Sequence, residues 1–192
     1  MIYHSSLKKE KFTDYDITKD QKNGNYVFVW DINKELSQKL DLLYKKCDIF
    51  YSEPTWTDGY NIFLKRANNS NSNFNDYCNS LSNFIINNNK EIILLTGKKM
   101  IRKLPKFNSF IEIKVNGYST VCYGWNIDLG IYKDQCKNNF NLIYCLSKDY
   151  KFVGDFCCGY GNTGRIFKEN GGNFVMSDIN AKCVTYVARN IL

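Results

Sequence analysis

The stretch "KFVGDFCCGYGNTGRIFKENGGNFVMSD", residues 151–178, contains two short apolar runs separated by a glycine-rich turn and a helical segment. The first run, 152–156, carries Asp155, and the second, 174–177, is followed at once by Asp178. A helix that joins two neighbouring strands of one sheet makes those strands parallel, because the chain must cross back over the sheet between them. This stretch therefore predicts a βαβ unit and an α/β fold.

The same alternation of strand and helix extends over most of the chain. Short apolar runs predict strands at 26–30, 49–51 and 91–95, and they are separated by stretches with apolar residues at helical spacing. Residues 110–125 contain two alternating runs joined by Asn116-Gly117, a pair that favours an antiparallel hairpin because both turn positions have positive φ. Helices are predicted at 33–47, 74–85 and 136–149, after the glycine turn, and at the end of the chain. Seven strand candidates with interleaved helices predict a three-layer α/β domain with a mostly parallel sheet.

The composition favours one domain, 1–192, in a reducing, cytoplasmic environment. A chain of 192 residues with 44% hydrophobic content can bury one sizeable core. No apolar run has the length of a membrane span or of a signal peptide, so we expect an intracellular protein with no membrane partner. The eight cysteines are scattered and none has CxxC spacing, and His4 is the only histidine. This pattern predicts reduced thiols and no metal site.

The formal net charge of +7, from 26 basic and 19 acidic residues, favours polyanionic partners without identifying one. A basic cluster follows the strand at 91–95, at the edge of the sheet where ligands bind in α/β proteins. Its residues are Lys98, Lys99, Arg102 and Lys103. The cluster could contact phosphates of a nucleic acid, and a solvated basic loop is the alternative.

The glycine turn has the features of a nucleoside-binding loop. Gly159 and Gly161 allow a tight turn and a close backbone approach, and Thr163 begins the following helix. Asp178 closes the neighbouring strand, where a carboxylate can accept hydrogen bonds from two ribose hydroxyls. The alternative is a structural turn in which Asp178 caps the last helix.

A second motif, "DIFYSEPTW" at 48–56, ends another predicted strand with an acid, a proline and a large aromatic ring. Together the two motifs resemble those of S-adenosylmethionine (SAM)-dependent DNA amino-methyltransferases, which modify adenine N6 or cytosine N4. In that family an acid and a GxG turn form the cofactor motif, and Asp/Asn/Ser-Pro-Pro-Tyr/Phe/Trp forms the catalytic motif. The catalytic motif comes first here, as in the circularly permuted members. The resemblance implies a Rossmann-like methyltransferase fold with a seven-stranded sheet and one antiparallel hairpin.

The resemblance also implies roles for individual residues. Glu53 would accept a hydrogen bond from the target amine, Pro54 would stiffen the turn, and Trp56 would stack on the extruded base. Glu53 stands where the family has Asp, Asn or Ser, and Thr55 stands where it has a second proline. The residues expected to contact SAM are Asp155, Phe156, Cys157, Gly159, Gly161, Thr163, Asp178, Ile179 and, before the cofactor motif, Lys133.

The function implied first is methylation of adenine N6 in DNA. The segment between the two motifs leaves no room for a separate target-recognition domain, so specificity would come from a partner subunit or a homodimer mate. RNA, cytosine N4 and a protein amide are alternative methyl acceptors. A non-catalytic SAM-binding subunit that completes a partner's nucleic-acid site is a further alternative, because of the changes at Glu53 and Thr55.

Overall fold

A computed structural model describes the backbone of residues 18–20 and all of residues 24–54 and 73–192. The strands are β1 (Thr18–Asp20), β2 (Asn25–Val29), β3 (Ile49–Ser52), β4 (Glu91–Leu95), β5 (Ser109–Val115), β6 (Tyr118–Trp125), β7 (Phe152–Asp155) and β8 (Asn173–Asp178). The helices are α1 (Gln38–Tyr44), α2 (Phe74–Asn87), α3 (Lys98–Ile101), α4 (Asn139–Asp149), α5 (Asn162–Glu169) and α6 (Ala181–Asn190), with a 3-10 helix at Leu129–Tyr132.

The strands form one mixed sheet in the order β1-β2-β8-β7-β3-β4-β6-β5. The five inner strands β2, β8, β7, β3 and β4 are parallel to one another. At the two sides of the sheet, β1 is antiparallel to β2 and β6 is antiparallel to β4. The hairpin β5–β6 turns at Asn116 and Gly117, whose φ angles are 50° and 86°. The hairpin predicted from the sequence is thus confirmed.

Helices cover both faces of the sheet and form two hydrophobic cores. One core joins β3, through Ile49 and Tyr51, to α4, α5 and α6. The other joins the same strand, through Phe50, to α1, α2 and α3. The alternation of side chains along a strand explains why successive residues of β3 enter different cores. The predicted three-layer α/β domain is therefore present.

Several details differ from the sequence prediction, among them the predicted helix at 136–149, which begins at Asn139 after its cap, Asn138. The predicted helix at 33–47 begins only at Gln38, because the Ser37 hydroxyl accepts a hydrogen bond from the Leu40 N–H at 3.2 Å and caps the helix there. The sheet has an eighth strand, β1, at its edge. Its sequence Thr-Lys-Asp lacks the apolar alternation on which strand prediction depends.

Within the described residues, no helix is long and apolar enough to cross a membrane. The same residues contain no group of three or more His, Cys, Asp or Glu side chains that could hold a metal ion. All eight cysteines are free thiols, and most are buried.

Candidate functional site

The two sequence motifs lie next to each other at the carboxyl ends of the parallel strands. Strand β3, which leads into Glu53, pairs with β7, which leads into the glycine turn, and Ile49 faces Val153 in their register. Strand β7 pairs in turn with β8, which ends at Asp178. Ligands of open α/β sheets bind at this edge.

A buried hydrogen bond joins the two motifs directly. The Ser52 hydroxyl donates to Asp155 Oδ1 at 2.8 Å and accepts from the Phe156 N–H at 2.9 Å. Asp155 Oδ1 also accepts from the Cys157 N–H at 3.0 Å. The conformation of the cofactor-type loop is therefore coupled to the strand that carries Glu53.

Asp155 holds this loop from beneath and is only 2% exposed. Burial raises the pKa of its carboxyl to about 7, although hydrogen bonds from the Cys157 N–H, Ser52 and Thr163 oppose the rise. The nearby charge of Glu53 raises the pKa further. Asp155 is among the residues predicted to contact SAM, and in the structure its Oδ1 accepts from two of the protein's own donors. The structure thus gives Asp155 an internal, loop-organising position.

The glycines of the turn have different environments. Gly159 and Gly161 both have positive φ, 49° and 78°, which favours glycine. A side-chain carbon added at Gly161 would lie 2.6 Å from Ile191 Cδ1 and 2.8 Å from Val187 Cγ2, so Gly161 is required for packing against α6. A carbon added at Gly159 would meet no atom within 4 Å. Only Gly159 therefore presents its backbone to open space, as a ligand would need.

Asp178 lies beside that open position and is half-buried. Its Oδ2 accepts from the Gly159 N–H at 2.9 Å, and its Oδ1 accepts from the Asn180 N–H at 2.8 Å. Burial raises the pKa of Asp178, and these two backbone hydrogen bonds oppose the rise. The cap of α6 is Asn180, which accepts from the Lys182 N–H at 3.1 Å. The alternative in which Asp178 caps this helix is therefore wrong.

The other loop residues predicted to bind a cofactor also contact the protein's own core or helices. Phe156 is buried in the aromatic core, with its ring centroid 5.0 Å from that of Phe84. Cys157 is half-buried, and its sulfur lies 3.3 Å from the Tyr77 hydroxyl of α2. Ile179 is half-buried against the core formed with α1, α2 and α3. These side chains pack against the protein's own core and α2, and their contacts with SAM stay predictions.

Glu53 is exposed at the end of β3, and Pro54 beside it is buried. Glu53 Oε1 accepts two hydrogen bonds, from the Tyr51 hydroxyl at 3.0 Å and from Asn139 Nδ2 at 3.1 Å. Sequence reasoning missed both donors. Asn139 is one of 25 asparagines in the chain, and nothing in its local sequence distinguishes it.

Two residues of the predicted catalytic motif, Thr55 and Trp56, lie outside the described residues. Lys133 is described and ends the 3-10 helix at Leu129–Tyr132. Because β6 runs antiparallel to β4, the chain leaves β6 at the opposite edge of the sheet, with Trp125 facing Ile92. Tyr132 then donates to Asp149 Oδ2 at 2.7 Å, at the end of α4 that precedes β7. Lys133 follows Tyr132 directly, in the segment that leads to α4, and its contact with SAM stays a prediction.

The basic cluster is placed as the sequence predicted. It lies in and just after α3, which follows the carboxyl end of β4, and all four side chains are exposed. Lys103 Nζ donates to Asn75 Oδ1 at 2.9 Å, which ties the cluster to the first turn of α2. The cluster is therefore on the same edge of the sheet as Glu53 and Gly159.

No protein-family model and no curated protein sequence matches the chain. Among solved structures, a crystal structure of M1.HpyAVI matches with a TM-score of 0.52 and 10% sequence identity, covering 86% of this chain and 98% of that one. The crystal structure of the M1.HpyAVI–SAM complex matches with the same TM-score and coverage and 12% identity. The chain therefore shares the fold of these structures, which confirms the three-layer, Rossmann-like α/β fold predicted from the sequence; the circular permutation stays a prediction.

Proposed function

We propose that the protein is a SAM-dependent methyltransferase that acts on an exocyclic amine, in the first place adenine N6 of DNA. The observation that carries the proposal is the position of Glu53 beside the Gly159–Asp178 loop, on neighbouring strands joined by the Ser52–Asp155 hydrogen bond. The fold shared with a protein crystallised as a SAM complex supports the choice of cofactor. We further propose a circularly permuted chain order and a single domain, 1–192.

The residues of the loop fit SAM. The open space at Gly159 leaves its backbone accessible to a nucleoside, and a side chain there would occupy that space. Asp178 uses one acceptor position on each oxygen for a backbone N–H, and a carboxylate has about four such positions. Asp178 can therefore still accept hydrogen bonds from two ribose hydroxyls. When bound, SAM would supply a methyl group attached to a positively charged sulfur.

The chain's own contribution to transfer is orientation and electrostatics. The carboxylate of Glu53 accepts a hydrogen bond from the acceptor amine and draws its nitrogen toward sp³ geometry, which frees the lone pair for attack. SAM, when bound, would supply the methyl group to the nitrogen that Glu53 orients, and the electron pair of the carbon–sulfur bond would stay on sulfur. The proton that the nitrogen then sheds passes to Glu53 or to water. Trp56 would stack on the base, and Pro54 would hold the turn.

Nucleic acid as substrate is supported by the basic cluster on the same edge. Exposed lysine and arginine side chains beside a site contact phosphates without selecting a sequence. The cluster has four such residues, and the chain carries a net charge of +7. Sequence specificity would then require a partner subunit or a homodimer mate.

The test combines calorimetry with methyl transfer. We expect the protein to bind SAM, and Asp178→Ala to weaken that binding strongly, whereas Glu53→Ala retains binding and loses turnover. Glu169→Ala, which removes an exposed acid at the far end of α5, is the matched control and should change neither quantity. Equal loss of SAM affinity in the Asp178 and Glu53 variants would contradict the assigned roles.

Radiolabelled methyl transfer to DNA, RNA and a glutamine-containing peptide, followed by identification of the methylated atom, determines the acceptor. Transfer to adenine N6 in DNA is the expected result. Transfer to RNA, to cytosine N4 or to the peptide would replace the acceptor and keep the reaction. SAM binding without transfer to any of them would favour a non-catalytic subunit.

A further inference from the structure

We infer that Tyr51 and Asn139 are positioning residues that clamp one oxygen of Glu53 and present the other to the substrate, which restricts the methyl acceptor to a group that donates an N–H. This inference rests on the proposed function and adds to it a structural determinant of substrate class. The two residues are called the Glu53 clamp below.

The clamp is built from rigid parts that reach toward an exposed group. Tyr51 is fully buried and Asn139 is 7% exposed, whereas Glu53 itself is exposed. Burial raises the pKa of the Tyr51 phenol, and the neighbouring Cys122 and Glu53 act in the same direction. The phenol therefore keeps its proton and remains a hydrogen-bond donor to the carboxylate.

The position of Asn139 is fixed by the backbone around it. Lys114 of β5 donates its N–H to the Lys137 carbonyl at 2.9 Å, which pins the segment before α4 to the edge of the sheet. Asn138 then caps α4 by accepting from the Asn141 N–H at 2.8 Å. Asn139 is thus the first residue of α4, and the start of this helix is fixed by the Lys114–Lys137 hydrogen bond before it and by the Asn138 cap. From there the side-chain amide of Asn139 reaches Glu53.

Both donors converge on Oε1, and this decides what the other oxygen can do. The Tyr51 hydroxyl and Asn139 Nδ2 lie 3.0 Å and 3.1 Å from Oε1, and within residues 24–54 and 73–192 no donor meets Oε2. An ionised carboxylate accepts hydrogen bonds and donates none. A group bound at Oε2 must therefore donate, as the N–H of an exocyclic amine or an amide does. A carbonyl oxygen or an unprotonated ring nitrogen cannot.

The clamp also offsets the length of this side chain. Glutamate has one more rotatable bond than aspartate, so an unrestrained Glu53 would lose more conformational freedom when it meets a substrate. Two hydrogen bonds from buried partners remove that freedom before the substrate binds. Pre-organisation of this kind raises the rate of the chemical step with little effect on cofactor binding.

The first experiment removes the clamp without changing Glu53. Tyr51→Phe and Asn139→Leu each delete one donor and keep most of the side-chain volume. We expect kcat to fall roughly tenfold or more in each variant, with KM for the nucleic acid and Kd for SAM changed by less than about threefold. The control is Tyr132→Phe, which deletes a phenol donor to the carboxylate of Asp149 outside the site and should leave all three values unchanged.

The second experiment uses a background in which removal of the clamp should raise activity instead of lowering it. In Glu53→Gln the clamp would hold the amide oxygen, so the amide would present its N–H₂ to the substrate and repel a donor. In the triple variant that also carries Tyr51→Phe and Asn139→Leu, the amide can turn and present its oxygen instead. We expect the triple variant to be more active than Glu53→Gln alone. Equal or lower activity of the triple variant would overturn the inference, because a purely structural role predicts further loss.

A binding measurement separates this inference from the proposed activity. SAM-loaded protein is titrated with an oligonucleotide that carries adenine or cytosine, and with the same strand carrying purine or 2-pyrimidinone, which lack the amino group. We expect wild-type protein to prefer the amino-bearing strands and the Tyr51→Phe/Asn139→Leu variant to lose the preference. If the preference follows the clamp but no methyl is transferred, the inference holds and the activity fails. If methyl transfer occurs and the preference is absent or unaffected, the inference fails and the activity stands; absence of both overturns both.

Discussion

Replacing Asp155 by asparagine should flatten the dependence of stability on pH. Asp155 is buried between β3 and the glycine loop, and burial raises its pKa from an ordinary 3.8 to about 7 in the folded protein. The folded state therefore binds this proton more tightly than the unfolded state does. Its stabilising contribution is fully present below the unfolded-state pKa and is lost as the pH rises through about 7.

The size of the effect follows from this pKa difference. Each unit of difference corresponds to about 1.4 kcal/mol, so wild-type protein should lose about 2–3 kcal/mol of unfolding free energy between about pH 5 and about pH 8 through this group alone. In Asp155→Asn the amide oxygen can still accept from the Ser52 hydroxyl and the Cys157 N–H. The amide nitrogen can donate to the Thr163 hydroxyl, which accepts as well as donates. The variant should fold, and it lacks the titration.

Urea unfolding at the two pH values gives, for each protein, the change in unfolding free energy with pH. The change in wild type minus the change in Asp155→Asn is the contribution of Asp155. Asp178, whose pKa burial also raises, titrates in both proteins and cancels. Glu169→Gln, at an exposed acid, is the control for loss of one charge and should follow the wild type. The argument is refuted if wild type and Asp155→Asn change by the same amount. Ser52→Ala provides a second check, because it removes a hydrogen bond that lowers the pKa of Asp155 and should move the loss of stability to higher pH.

Other substitutions test packing, a buried hydrogen bond and the basic cluster. Gly161→Ala and Gly159→Ala both place alanine at positive φ, but only the new side chain at 161 meets Val187 of α6. The unfolding free energy of Gly161→Ala, measured by urea titration, should therefore be lower than that of Gly159→Ala by about 1–3 kcal/mol. Tyr44→Phe removes a 2.6 Å hydrogen bond and leaves the buried Ser177 hydroxyl unpaired, which should cost about 1–3 kcal/mol in the same assay. Lys98→Ala should weaken DNA binding equally for all sequences and reduce the slope of log affinity against log salt by about one; an effect on some sequences only would contradict a phosphate contact.

Most of the sheet could be predicted from the sequence, because its inner strands are continuous apolar runs and the Asn116-Gly117 turn has a strong local signature. Strand β1 could not, since a three-residue edge strand buries too little to leave an apolar pattern. The sequence also places the start of α1 too early, because Leu36 fits the apolar spacing of the helix although it precedes the cap, Ser37. Local signals thus identify elements whose formation is decided by their own residues.

The candidate site likewise contains residues that the sequence identifies and partners that only the fold brings to them. Glu53 and the glycine loop could be found because each lies in a contiguous motif. The partners that fix them, Ser52 for Asp155 and Asn139 for Glu53, are 103 and 86 residues away in the chain, and only the fold brings them together. Lys133 is expected at the site only from its position before the cofactor motif, and its contact with SAM stays a prediction. The chain reaches the site from this segment at Asn139, whose side chain contacts Glu53.

The register of β3 decides the geometry of the whole candidate site. Three successive residues act in different directions: Tyr51 packs with α4 and donates to Glu53, whereas Ser52 bonds to Asp155 beneath the glycine loop. Successive side chains of a strand point to opposite faces, so a slip of one residue against β7 would exchange these positions. It would separate Glu53 from its donor Asn139, and Ser52 from Asp155, at once. The pairing of Ile49 with Val153 therefore sets the orientation of Glu53 and places it on the strand next to the one that leads into the glycine loop.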